Sequence, residues 1–146
     1  MRMRTPKFPK PNRTAVVRGA RQTERRQLHR TAYELWRQVV RAKEPSGICP
    51  VCRKRAWYDA MHGFAKGPHK RLEFEPDNGA PGCRPCHRRI DSDHDAKEQF
   101  WRRYIGDARY ERLQLLDHAR TGRIDLALVI MDLREVLRSM ELGGKA

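Results

Sequence analysis

Cys49-Pro50-Val51-Cys52 and Cys83-Arg84-Pro85-Cys86-His87 decide how this chain is organised. The two CxxC pairs use all four cysteines of the 146 residues. Each pair spans a knuckle turn that presents two thiolates to one ion, so together they predict a closed tetrahedral Zn²⁺ site of the structural type, formed by Cys49, Cys52, Cys83 and Cys86. Two other readings compete. A disulfide framework needs an exported protein, and no export signal is visible; a dithiol redox motif accounts for one pair but not for two coupled ones.

Working outward, hydrophobic residues are 38% and charged residues 34% of the sequence. The apolar core must be small, so a structural metal is expected to be needed for folding, because its binding free energy is largely folding free energy. The formal charge of +14 points to a polyanionic partner, nucleic acid first. Residues 1–43 concentrate it, with 13 Lys or Arg against Glu24 and Glu34. The basic segment starts without a sustained apolar face, which argues against a membrane surface. The first twelve residues are charged but contain no apolar stretch, so neither a signal peptide nor a membrane anchor is expected, and the location expected is cytoplasmic.

Four segments follow along the chain. Residues 1–20, with Pro6, Pro9 and Pro11 among basic residues, predict a disordered arm that settles on DNA. Residues 21–45 predict a basic amphipathic helix, whose apolar stripe is Leu28, Ala32, Leu35, Trp36, Val39 and Val40. Residues 46–118 hold the cysteines; here Ala56 to His62 reads as a short strand, Arg71 to Glu75 as a second, and Asp77-Asn78-Gly79 with Pro81-Gly82 as turns. A helix is expected near His87, and a further helical region from Ala96 to Leu116 breaks near Gly106. Residues 119–146 predict a C-terminal helix that either covers the core or pairs with a second copy as a homodimer. The fold class expected is α+β, a small zinc-stapled core flanked by N- and C-terminal helices.

Cleaving a phosphodiester needs a base for water and a cation to neutralise developing charge. His62 is the candidate base, on a strand expected to face the helix after the second knuckle. Asn78 is the candidate that orients it. His87 and Asp91 are four apart and share a helix face, and His94 is seven from His87, so His87 with Asp91 or His94 forms a candidate site for Mg²⁺ or Mn²⁺. Candidate phosphate contacts are Arg13, Arg18, Arg21, Arg25, Lys66, Lys70, Arg71 and Arg88.

The order CxxC, His62, Asn78, then CxxC with His87 resembles the HNH, or ββα-metal, endonuclease family. The stretch from Ala60 to Asn78, with Arg102 to Gly106 and Arg109 to Leu113, is closer to the phage NinG, or Rap, recombination nucleases. The resemblance covers residues 48–114. It implies a ββα-metal core with His62 and Asn78 in the catalytic positions, a branched DNA substrate such as a Holliday junction or displacement loop, and the bacterial host cytoplasm for a phage-encoded protein. An HNH nuclease acting on ordinary duplex DNA, and a zinc-knuckle recombination adapter without cleavage, are the alternatives. One position departs from the pattern: many HNH nucleases carry Asp or His immediately before the base, where this chain has Met61, and Asp59 on the same strand face is the substitute candidate.

Overall fold

Leu28, Ala32, Trp36, Val39 and Val40 recur at three- and four-residue steps, and the last four are buried. They form the inner stripe of helix α1, Arg13–Ala42, in a computed structural model that describes residues 13–119 and 122–143, apart from the side chains of residues 13 and 15. The helix starts eight residues before the expected boundary at residue 21. Nothing between the two positions stops it: Gly19 costs only about 1 kcal/mol against Ala, and no proline intervenes. Residues 1–12, the rest of the expected arm, lie outside the described residues.

Strand β1, Asp59–His62, pairs antiparallel with β2, Gly79–Gly82, with Asp59 opposite Gly82 and His62 opposite Gly79. Helix α2, Arg84–Ser92, follows two residues later. The strand expected from Ala56 is thus shorter, Ala56 making only an isolated bridge to Ile48 that closes the first knuckle. The strand expected over Arg71 to Glu75 does not form. Its residues enter a 3-10 turn, Lys70–Leu72, which buries Leu72 and leaves Phe74 to fill the gap against α1. The second strand is instead Gly79-Ala80-Pro81-Gly82, entirely buried. A β-carbon at Gly79 would lie 2.3 Å from Val40 Cγ2 and one at Gly82 would lie 2.4 Å from Met61 Sδ, so residues without side chains let the strand lie against its neighbours.

The sheet has a different helix on each face. Trp36 and Val40 of α1 lie over Gly79, while Met61 packs with Ile90 of α2 and with Phe100 and Trp101 of α3, His94–Ile105. Asp93 caps α3, its Oδ1 accepting from Ala96 N at 3.0 Å. Gly106, at φ 88°, makes the expected break before α4, Asp107–His118. The C-terminal helix α5, Leu126–Gly143, lays Leu126, Ile130 and Leu133 on Ala32, Trp36, Val39, Val40 and Phe74. It therefore covers the core, leaving Leu128, Met131 and Leu142 exposed. The fold is α+β, mostly helical with one two-stranded sheet. No described helix is long and apolar enough to cross a membrane.

Candidate functional site

The two cysteine pairs reach one point by different local structures. In the first knuckle Arg53 N donates to Cys49 O and Cys49 N to Arg55 O, both at 2.8 Å, and Arg53 takes φ 54° to close the turn. In the second, Cys83 sits at the N-cap of α2 and Cys86 in its first turn. All four sulfurs lie within 4.8 Å of one another, with Cys52 and Cys83 3.9 Å apart. A tetrahedron with metal–sulfur bonds of about 2.3 Å has edges of about 3.8 Å, so the four thiols have the spacing to hold a structural metal such as zinc. The backbone N–H groups of Lys54 and Arg55 pull the Cys52 thiol down to about 6, while burial pushes Cys86 up to about 12.

His62, at the end of β1, faces α1 rather than the helix after the second knuckle. Strand alternation puts Met61 on the α2 side and turns His62 over to Trp36, whose ring stacks on the imidazole at 4.0 Å and 13°. Its Nε2 lies 3.0 Å from Glu73 O. A carbonyl only accepts, so Nε2 carries the proton and, in the neutral ring, Nδ1 carries the lone pair. Burial lowers the pKa of His62, favouring that neutral form.

Asn78 is fully buried, and its side-chain hydrogen bonds go to Phe64 and Leu72 rather than to His62. Its Oδ1 accepts from Phe64 N at 2.6 Å, and its Nδ2 donates to Phe64 O at 3.0 Å and to Leu72 O at 2.9 Å. Phe64 and Leu72 belong to the connection between the strands, and Leu72 precedes the residue whose carbonyl holds His62. Asn78 thus fixes the loop that carries the Glu73 carbonyl. Lys43 donates to Pro76 O and to Gly79 O, the latter at 2.8 Å, and clamps the same loop from α1. Burial lowers its pKa to about 8.

On the other face, His87 lies between two carboxylates. Its Nδ1 is 3.0 Å from Asp59 Oδ2 and its Nε2 is 3.1 Å from Asp91 Oδ2. The carboxylates address opposite ring nitrogens, so the three side chains as placed do not converge on a single point; among the described residues only the cysteines form a group of three or more that does. Asp91 is also held by Lys97 Nζ at 2.9 Å. His94 stands apart, its side chain 86% exposed with only Asp95 beside it at 4.0 Å, so the seven-residue spacing from His87 does not bring it to the cluster. The chain bends between α2 and α3 at Asp93, which breaks the helical register that the spacing presumed.

Of the basic residues singled out, Arg18, Arg21, Arg25, Lys66, Lys70 and Arg88 are exposed and Arg71 is partly buried; the Arg13 side chain lies outside the described residues. Lys66 Nζ sits 4.8 Å over the Tyr33 ring, beside His62. The structure adds residues with no signal in the sequence. Glu73 holds His62 through its backbone and pairs through its carboxylate with His29 Nε2 at 2.9 Å. Neither contact follows from spacing, since each joins segments brought together only by folding.

Compared with protein-family models, with curated proteins and with solved structures, the chain has no match.

Proposed function

We propose that this chain is a zinc-stapled, metal-dependent DNA endonuclease of the HNH type that hydrolyses a phosphodiester bond with His62 as general base. The observation that carries the reading is the Nε2 contact of His62 with Glu73 O, because it leaves Nδ1 unprotonated on a ring held by Trp36 and by an Asn78-braced loop. The lowered pKa keeps that nitrogen ready to take a proton from water near neutral pH. Asn78 is a positioning residue. The resemblance to the phage recombination nucleases adds branched DNA as the substrate.

Asp59 and Nδ1 of His87 are the groups proposed to hold Mg²⁺ or Mn²⁺. Asp91 already has Lys97 as its counter-charge, so it suits the role of accepting the Nε2 proton and orienting the ring, whereas Asp59 has no cation beside it other than His87 among the described residues. A divalent ion there supplies charge neutralisation for the phosphate and the departing oxygen. The four cysteines would take zinc as a staple, a separate site with a separate task. A second reading, an adapter that binds DNA without cutting it, draws on Met61, which is fully buried at the position where many HNH nucleases place a ligand.

The deciding experiment incubates purified protein with linear duplex, single-stranded, forked and four-way DNA, with Mg²⁺, with Mn²⁺ or with neither. Selective cutting of branched forms, lost in His62→Ala, is expected. Equal cutting of all forms would replace the substrate by ordinary duplex, and binding without cutting would leave the adapter.

A further inference from the structure

Tyr58 is 70% exposed, although it immediately precedes a strand and its backbone is held there by Tyr58 N donating to Gly82 O at 3.1 Å. A large ring placed in solvent on an anchored backbone retains surface that folding has not used. It lines a cavity of about 430 Å³ with Ala56, Cys83, Pro85 and two arginines, Arg55 and Arg84. That volume falls in the range of small-ligand sites. Among the described residues neither guanidinium has an ion-pair partner, so both cations are available to an anion from outside. An unscreened aromatic face with two flanking arginines is the combination that takes a nucleotide, the ring stacking on the base and the guanidinium groups meeting phosphate.

The position ties this surface to the candidate catalytic cluster. Tyr58 is the residue before Asp59, and Arg84 lies one helical turn before His87 on α2. We infer that Tyr58, Arg55 and Arg84 form a subsite for one unpaired nucleotide of bound DNA, stacked on the Tyr58 ring at the start of the strand that carries Asp59. The inference rests on the proposed function for its partner, DNA, but not on hydrolysis. A paired base offers only its edges to a side chain, so this subsite favours DNA in which a nucleotide is unpaired over the same duplex fully paired.

The test uses zinc-loaded protein without added Mg²⁺ or Mn²⁺ and two duplexes of the same sequence, one with a single bulged 2-aminopurine and one with that base paired. The expected result is quenching of the bulged probe on binding and tighter binding of the bulged duplex, by a ratio of about 5- to 150-fold, the range for stacking one base on an aromatic side chain. Tyr58→Ala should abolish the quenching and bring the ratio to near one with zinc content and circular dichroism unchanged; Tyr58→Phe should keep both. Equal binding without quenching by the wild type, or a Tyr58→Ala protein that retains ratio and quenching, overturns the subsite. Adding Mg²⁺ or Mn²⁺ then separates the two ideas: Tyr58-dependent bulge binding without cleavage sinks the nuclease and supports the subsite, and cleavage without it sinks the subsite alone.

Discussion

His62 and His87 are both imidazoles within reach of oxygen acceptors, yet their surroundings differ, and the roles proposed for them differ accordingly. His62 is pressed against Trp36 and offers one lone pair, whereas His87 meets a carboxylate at each nitrogen. Replacing His62 with Ala should therefore cost about 10²- to 10⁴-fold in cleavage rate with DNA binding retained, and raising Mn²⁺ should not restore it. His87→Ala should lose cleavage together with divalent-ion affinity, and raised Mn²⁺ should recover part of the activity. The acid limb of the wild-type rate follows from the same burial. A base must be neutral, and burial penalises the imidazolium, so the single-turnover rate should fall only as pH drops through a value below the ordinary 6.5 of histidine. A half-point above 6.5, or wild-type rates in both variants, would remove His62 from the mechanism. These residues were legible in the sequence because their types are chemically specific. Asp91 could be read beside His87 from its four-residue spacing, but the partner of His62 could not, since Glu73 acts through a backbone carbonyl, which every residue carries.

At the scale of elements, what could be read depended on whether a segment's own composition or its neighbours determined its form. The cysteine knuckles and the apolar stripes of α1 and α5 declare themselves by spacing. Gly79-Ala80-Pro81-Gly82 has the composition of a turn and becomes a strand because Trp36, Val40 and Met61 leave room for nothing larger at its two glycines. Arg71 to Glu75 alternates like a strand, but Asn78 Nδ2 takes the Leu72 carbonyl that a neighbouring strand would need. The knuckle turn at Cys49 and the first turn of α2 meet chiefly at the sulfurs, together with Val51 and Trp57, a small apolar contact. Cys49→Ser or Cys83→Ser should accordingly lose stoichiometric zinc and unfold the centre of the protein, as structural zinc contributes on the order of 10 kcal/mol. Metal analysis and thermal melting check this, and a variant that keeps full zinc and an unchanged melting temperature would show that the four thiolates are not one site.

For the molecule as a whole, α1 is both wall and extension. Its 30 residues span about 45 Å, and only the half from Leu28 onward is packed; every described side chain before Leu28 is exposed. Arg25, Arg21 and Arg18, at three, seven and ten residues before Leu28, continue backward the stripe of Leu28, Ala32 and Trp36, so they project on the side of the helix that meets His62. Arg18 lies about 27 Å along the axis from Trp36, about eight base-pair steps of 3.4 Å, which makes the helix a straight basic track leading to the candidate base. Changing the three arginines together to Gln keeps helix propensity and disturbs no buried contact, so circular dichroism and zinc content should stay the same. DNA affinity should fall, and the slope of log K against log salt should flatten by up to about 2.7, three phosphate contacts at about 0.9 each. Cleavage at saturating DNA should remain close to wild type, since none of the three touches the reacting groups. A titration across salt concentrations measures the slope, and an unchanged slope would mean that DNA approaches His62 from another side.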